Sequence, residues 1–337
     1  MRYFIELSYD GAAYCGWQRQ PDAPTVQQAL EKALSTLLRQ EIEVVGAGRT
    51  DTGVNASYYV AHFDCENGVK DCAQLVYKLN LILPQDIAVK RVREVKAETH
   101  ARFDAVEREY TYYISQRKNP FRRYSAWQYY VPLDVERMNE AAANLLDYDD
   151  FTSFAKLNSN NKTNICRVVK AEWRRAEWDE DLLIFTIRAD RFLRNMIRAI
   201  VGTLVDVGRG KITAERFGEI VRARNLSLSS SSAPAAGLHL ADVEYPETIK
   251  KLKDTTRHCY TRNGRHESVA EHSWMMTLMA FFMKDEFPEV DMDKVIQCAK
   301  RVYKDLSEKT LTSDIMFADN DGAESQKWLE EFFKRVN

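Results

Sequence analysis

The pattern that most limits the fold is a strand feeding a capped helix, met at the very start of the chain. Residues 2 to 9 (RYFIELSY) alternate in the two-residue period of a strand. Thr25-Val-Gln-Gln28 then has the form of a capping box, and Val26, Leu30, Ala33, Leu34, Leu37 and Leu38 follow at helical spacing. IEVVGA (42–47) reads as the next strand, running into a glycine-bounded turn at 46–53, and CAQLVYKLNLIL (72–83) as a helix ending before Pro84. The β-branched and aromatic density of EREYTYYIS (107–115) through SAWQYYVPL, and again near 166–190, predicts strands, with helices at about 134–146 and 191–206. Strands flanking helices in each half predict an α/β (α+β) fold, with two similar mixed lobes at about 1–105 and 106–246. Their antiparallel-rich sheets are expected to enclose a central basic cleft, although no residue-level repeat proves a duplication.

LSLSSSSAPAAGLHL (226–240) is Ser/Ala-rich and low in charge, ADVEYP adds a last short strand, and a lysine-rich connection at 250–253 follows. These features put a domain boundary near 247. Beyond it, the apolar spacing in WMMTLMAFFM, VIQCAKRVY and WLEEFF predicts a small all-helical appendage over 247–337. A length of 337 residues agrees with more than one folding unit, since a domain holds roughly 100 to 200 residues.

Bulk charge does not announce a nucleic-acid partner, because residues 1–246 carry 33 Lys and Arg against 33 Asp and Glu. Any basic surface must be local. The six cysteines, Cys15, Cys65, Cys72, Cys166, Cys259 and Cys298, include no CxxC pair and no zinc-like spacing, which predicts reduced thiols in a cytoplasmic protein without a structural metal. The start MRYFIELSYDG lacks the plan of a signal peptide, and no apolar stretch approaches the roughly 20 residues of a membrane span.

Chemistry concentrates in Gly46-Ala-Gly-Arg-Thr-Asp51-Thr-Gly-Val-Asn-Ala56, at the end of a predicted strand. Flexible glycines can press a carboxylate against a ligand, and Arg49, two residues before Asp51, can hold it ionised and aim it. On spacing alone a tight turn with a surface ion pair fits equally well.

The longer string resembles the active-site motif of the bacterial tRNA pseudouridine synthase A family. Further segments are similar to that family in the same order: YDGAAYCGWQRQPDAPTVQ, REYTYYI (108–114), RFLRNMIRAIVGTLVDVGRG (191–210) and SSAPAAGLHLADVEY (231–245). The resemblance covers residues 1 to about 246. It implies cofactor-free cleavage of the uracil glycosidic bond, rotation of the base and rejoining through carbon. It also implies action as a homodimer on tRNA, at uridines 38, 39 and 40 of the anticodon stem-loop. Asp51 then attacks or deprotonates the substrate at the sugar, and must be ionised to do either. Tyr110 matches the tyrosine expected against the target base, where an aromatic face restores about 1–3 kcal/mol of stacking. By alternation alone Tyr110 is one more strand aromatic beside Tyr112 and Tyr113.

Arg191, Arg194 and Arg198 recur at spacings of three and four in the predicted helix, giving one basic face. Such a face is usually solvated, but Arg198 matches the family arginine expected to pair with the catalytic aspartate, and Arg191 and Arg194 are expected to hold substrate. Arg117, Lys118, Arg122 and Arg123, interleaved with Phe121 and Tyr124, suit phosphate contacts at a cleft rim or are ordinary loop charges. Asn55 stands where the family motif usually has histidine, which predicts altered RNA affinity or loop geometry before any loss of catalysis.

Residues 251 to about 320 resemble HD-domain phosphohydrolases through RHESVAEHSW and YKDLSE. His272 and Asp305 match metal ligands of that family, but Lys304 replaces the histidine of the His-Asp pair, and an ammonium cannot ligate a cation. The segment therefore reads as a truncated remnant without metal; a helix capped at Ser268 with His272 in its first turn is the plainer alternative. Two other functions compete with the isomerase: a non-catalytic RNA-binding or RNA-folding protein, and a nucleotide phosphohydrolase working through the tail. The first predicts RNA modification unaffected by Asp51→Ala, and the second predicts metal near His272.

Overall fold

The computed structural model describes residues 1–156 and 163–246 and the backbone of 256–260 and 266–268, and the chain divides into two units, Met1–Tyr245 and Pro246–Asn337. In the first unit, β1 (Arg2–Tyr9) leads to α1 (Val26–Leu38), whose N-terminus is capped by Thr25, its Oγ1 accepting from Gln28 N at 3.3 Å. The face bearing Val26, Leu30, Ala33 and Leu34 is buried. Then come β2 (Val44–Gly46), β3 (Asn55–Asp64), α2 (Cys72–Ile82) and β4 (Ile87–Val95). Asp71 caps α2, and Leu83, already extended ahead of Pro84, ends it.

The second half contains β5 (Glu107–Ser115), β6 (Trp127–Gln128), α3 (Val135–Ala143), β7 (Val168–Ala176), β8 (Asp179–Ala189), α4 (Met196–Gly208), α5 (Ala214–Arg222) and β9 (Leu238–Glu244). α4 is apolar nearly all round and correspondingly buried. It starts at Met196 and not at 191, because Asn195 takes a left-handed conformation (φ 66°) and breaks the helical register.

Among the described residues, one nine-stranded sheet runs β4-β1-β3-β9-β5-β8-β7, with β2 added to β3 and β6 to β5. The fold is mixed α/β, and its two halves share this sheet while keeping separate cores. One core gathers β1, β3, β4, α1 and α2 around Phe4, Leu30 and Phe63; the other gathers β5, β7, β8 and α3 to α5 around Phe154, Phe185 and Phe217. Tyr110 packs against both. The halves join at β3 and β9, which run parallel with Asn55 opposite His239 and Ala56 opposite Leu240. Parallel neighbours begin at the same edge of a sheet, so the loops entering β3 and β9 emerge side by side.

In the second unit the described residues form an antiparallel pair, β10 (Thr256–Tyr260) with β11 (His266–Ser268). Over its described residues the appendage is therefore not all helical as expected: the β-branched and aromatic residues Thr256 and Tyr260 favour extended backbone. WMMTLMAFFM, VIQCAKRVY and WLEEFF, with His272, Lys304 and Asp305, lie outside the described residues. No described helix is long and apolar enough to cross a membrane.

Candidate active site

Asp51 sits in the loop between β2 and β3, and the loop is held from beneath by backbone and aromatic side chains. Ala47 N donates to Val60 O at 2.8 Å, Trp17 N to Thr50 O at 3.3 Å, and Gly53 N to Tyr14 O at 3.3 Å. Tyr9 and Thr50 join their hydroxyls at 2.9 Å, Tyr59 donates to the Gly48 carbonyl, and Trp17 stacks on Tyr59 with centroids 4.0 Å apart. Burial drives the phenols of Tyr9 and Tyr59 above their ordinary range, so both remain protonated. Gly16 makes the seat possible: its φ is +89°, and a Cβ there would lie 2.3 Å from the Thr50 carbonyl oxygen. From the other half, Arg108 donates to the carbonyls of Ala47, Arg102, Ala105 and Asp190, bolting the start of β5 to the Asp51 loop.

Above this floor opens a cavity of about 630 Å³ lined by Asp51, Thr52, Lys156, Arg194, Asn195, Arg198, Leu226 and Ser229 to Ser232. Three cations and one carboxylate line it. Arg194 Nε lies 3.6 Å from Asp51 Oδ1. The two side chains are 59% and 35% exposed, so this pair adds little to stability, about 0–1 kcal/mol, and is open to exchange. The expected pairing of Asp51 with Arg198 is not made: Arg198 Nε donates to Ala233 O at 2.6 Å. The turn at Asn195 explains the change, because it leaves Arg194 ahead of the helix while Arg198 sits in the first turn of α4. For the same reason Arg191, Arg194 and Arg198 do not share a helical face.

Tyr110, on β5, is half-buried and meets Phe192 edge-on at 5.2 Å. Burial pushes its phenol up to about 12, with Arg108 opposing and Asp51 adding to the rise, so the ring stays neutral. Its hydroxyl has no hydrogen-bond partner among the described residues. Arg49 is exposed and, among the described residues, makes neither ion pair nor side-chain hydrogen bond, so it does not aim Asp51 here. Tyr110, Arg49 and Arg191 stand outside the cavity lining. So do Arg122, paired with Asp179 at 2.5 Å, and Arg123, whose guanidinium lies 4.6 Å from the Tyr124 ring centroid. Asn55 is buried and braces the surrounding loops: Gly11 N donates to its Oδ1 at 2.7 Å, and its Nδ2 donates to Ala236 O at 2.9 Å and Tyr124 O at 3.1 Å.

The lining residues beyond sequence reasoning are Lys156, Asn195 and the serines. Four consecutive serines before Ala233-Pro234 were a signal, since a polar, uncharged run between two packed elements can surround a ligand as readily as it can link domains.

A family model described as tRNA pseudouridine synthase matches residues 7–104 and 141–246, and one described as HD domain matches 249–334. A protein of Bacteroides thetaiotaomicron named tRNA pseudouridine synthase A is 55% identical over 248 residues, covering 74% of this chain and 92% of its own. Its namesake in Bacteroides fragilis is 53% identical over 248 residues, covering 74% and 98%. That of Colwellia psychrerythraea is 39% identical over 260 residues, covering 75% and 97%.

Proposed function

The chain belongs to the tRNA pseudouridine synthase family and isomerises uridine to pseudouridine in tRNA, and we propose that Asp51 is the carboxylate that carries the reaction. Isomerisation breaks the bond from the ribose C1′ to uracil N1 and forms one from C1′ to C5, while the proton on C5 leaves and N1 gains one. Atoms and electrons balance within the substrate, so the reaction calls for a positioned acid and base and a seat for the loosened base. Asp51, acting on the sugar by attack or by taking a proton, is the group in the cavity able to start it. The observation that carries this reading is the placement of Asp51: a partly exposed carboxylate on a loop braced from both halves, 3.6 Å from a guanidinium that substrate can displace. Tyr110, outside the cavity lining but close enough to Asp51 to feel its charge, supplies the aromatic face and an unengaged hydroxyl for the base, and Arg194 and Arg198 hold negative charge around the target. Arg191, Arg122 and Arg123, outside the cavity, contact RNA away from the target nucleotide.

The uridines taken are those at positions 38, 39 and 40 of the anticodon stem-loop, and the protein works as a cytoplasmic homodimer. Residues 1–246 form the synthase domain, and 247–337 an HD-like remnant that holds no metal because Lys304 occupies a ligand position. The test is pseudouridine formation in purified unmodified tRNA with a chelator present. The intact protein is expected to modify the anticodon arm and Asp51→Ala to leave it unmodified; modification by the variant at the intact rate overturns the role of Asp51.

A further inference from the structure

The run Ser229 to Ser232 forms one wall of the cavity, and its hydroxyls are not all committed to the fold. Ser229 Oγ donates to Leu226 O at 2.8 Å, and Ser230 Oγ to Asp206 Oδ2 at 2.7 Å. Ser232 Oγ accepts from Asn195 Nδ2 at 2.7 Å, which leaves its own proton to give, and the Ser231 hydroxyl has no partner among the described residues. The wall is fixed to α4 by its backbone. Ser230 N donates to Thr203 Oγ1 at 3.2 Å and Ala233 N to Arg198 O at 2.9 Å. The Ser231 carbonyl rests on Gly202, where a Cβ would lie only 2.0 Å from its oxygen. Two hydroxyl donors are thus held rigidly in a cavity that also presents Lys156, Arg194 and Arg198, an array for an oxyanion. Asp51 lines the same space. If a target ribose lies at Asp51, the phosphodiesters on either side of that nucleotide cannot be far away.

We propose that Ser231 and Ser232, with Lys156, Arg194 and Arg198, form a binding subsite for a backbone phosphodiester flanking the target uridine, registering the RNA strand against Asp51. The proposal rests on the tRNA-modifying reading above. It gives Arg194 two alternative partners, Asp51 in the free protein and phosphate in the complex.

Ser231→Asp and Ser231→Asn test it, since the two side chains are nearly equal in size and differ by one charge. Ser227→Asp adds the same charge on the same segment, at an exposed position outside the cavity lining. Dissociation constants for unmodified tRNA are measured by fluorescence anisotropy across a salt series, with thermal unfolding midpoints as the check on folding. Ser231→Asp is expected to weaken binding about tenfold at ~0.1 M salt relative to Ser231→Asn, with the gap closing as salt rises, while Ser227→Asp weakens it by less than about threefold. Equal affinities for Ser231→Asp and Ser231→Asn, or an equal loss in Ser227→Asp, overturn the subsite. Affinity is read without turnover, so an intact protein that binds tRNA but forms no pseudouridine counts against the proposed function and leaves the phosphate test to be decided by the affinities.

Discussion

Asn55→Ala offers a sharp test of how the site is held. The Asn55 amide is only 3% exposed and joins three separate segments: Gly11 after β1, Tyr124 before β6, and Ala236 before β9. Truncation leaves the Gly11 N–H, buried and previously bonded at 2.7 Å, without an acceptor, and removes the donor from two carbonyls. An orphaned buried donor costs about 1–3 kcal/mol, and the carbonyls, which keep a second lone pair, add less, for a total of roughly 2–4 kcal/mol. For a unit of this size each kcal/mol moves the midpoint by roughly 2–4 °C, so a fall of about 4–16 °C is expected in a thermal scan followed by near-ultraviolet circular dichroism. Asn55→Asp keeps the acceptor for Gly11 but sets a charge against two carbonyl oxygens, and is expected to melt no higher than the alanine variant near neutral pH. A midpoint for Asn55→Ala within about 1 °C of the intact protein would refute the bracing role, since the lost bonds could not then be buried and shared as described.

Two further outcomes follow from the same reasoning. Burial, then the Arg2 guanidinium and His100, holds the His62 imidazole down to about 4, and its Nδ1 accepts from Ala101 N at 3.1 Å, as a neutral ring must. The unfolded chain takes up that proton near 6.5, so the contribution of His62 is complete above about pH 6.5 and is lost as pH falls toward 4. The melting temperature should drop across that window, and His62→Gln should flatten the drop; an unchanged slope in the variant refutes the assignment. Gly202→Ala drives a methyl group into the Ser231 carbonyl, so the serine wall must lift from α4. A stability loss of about 1–3 kcal/mol and a raised KM for tRNA are expected from melting and steady-state kinetics, and wild-type values for both would show that the wall does not rest there.

What could be read from sequence divides along physical lines. β1 and α1 were legible because each carries one clean signal, alternation in the strand and a Thr25 cap with an apolar stripe in the helix. β3 was not: as a central strand it is buried over most of its length, so the alternation that marks half-exposed strands is absent from NASYYVAHFD. α5 was likewise missed despite its Thr213 cap, because nine residues give the helical period little room to repeat. The Asp51 loop was legible as a motif, whereas its ion-pair partner was not. That choice turns on the backbone of Asn195, and a single left-handed residue shifts which arginine reaches the aspartate. Lys156 and the serine wall come to the cavity through long-range packing on α4, which no local pattern records.

The parallel seam between β3 and β9 also sets a timetable. β3 is complete at residue 64, but β9, which pairs with both β3 and β5, begins only at residue 238. At synthesis rates of about 5–20 residues per second, the nascent chain spends roughly 10–35 s with the β3 edge unpaired, and somewhat less with that of β5. Open edges template pairing with other chains, and closing so long a loop is entropically slow, so this interval is when the protein is most exposed to aggregation. The same strand draws the serine wall up beside Asp51. Activity and protection from misassembly therefore arrive in a single late step, and a ribosome stalled before residue 238 would release a chain with its aspartate loop present and neither benefit secured.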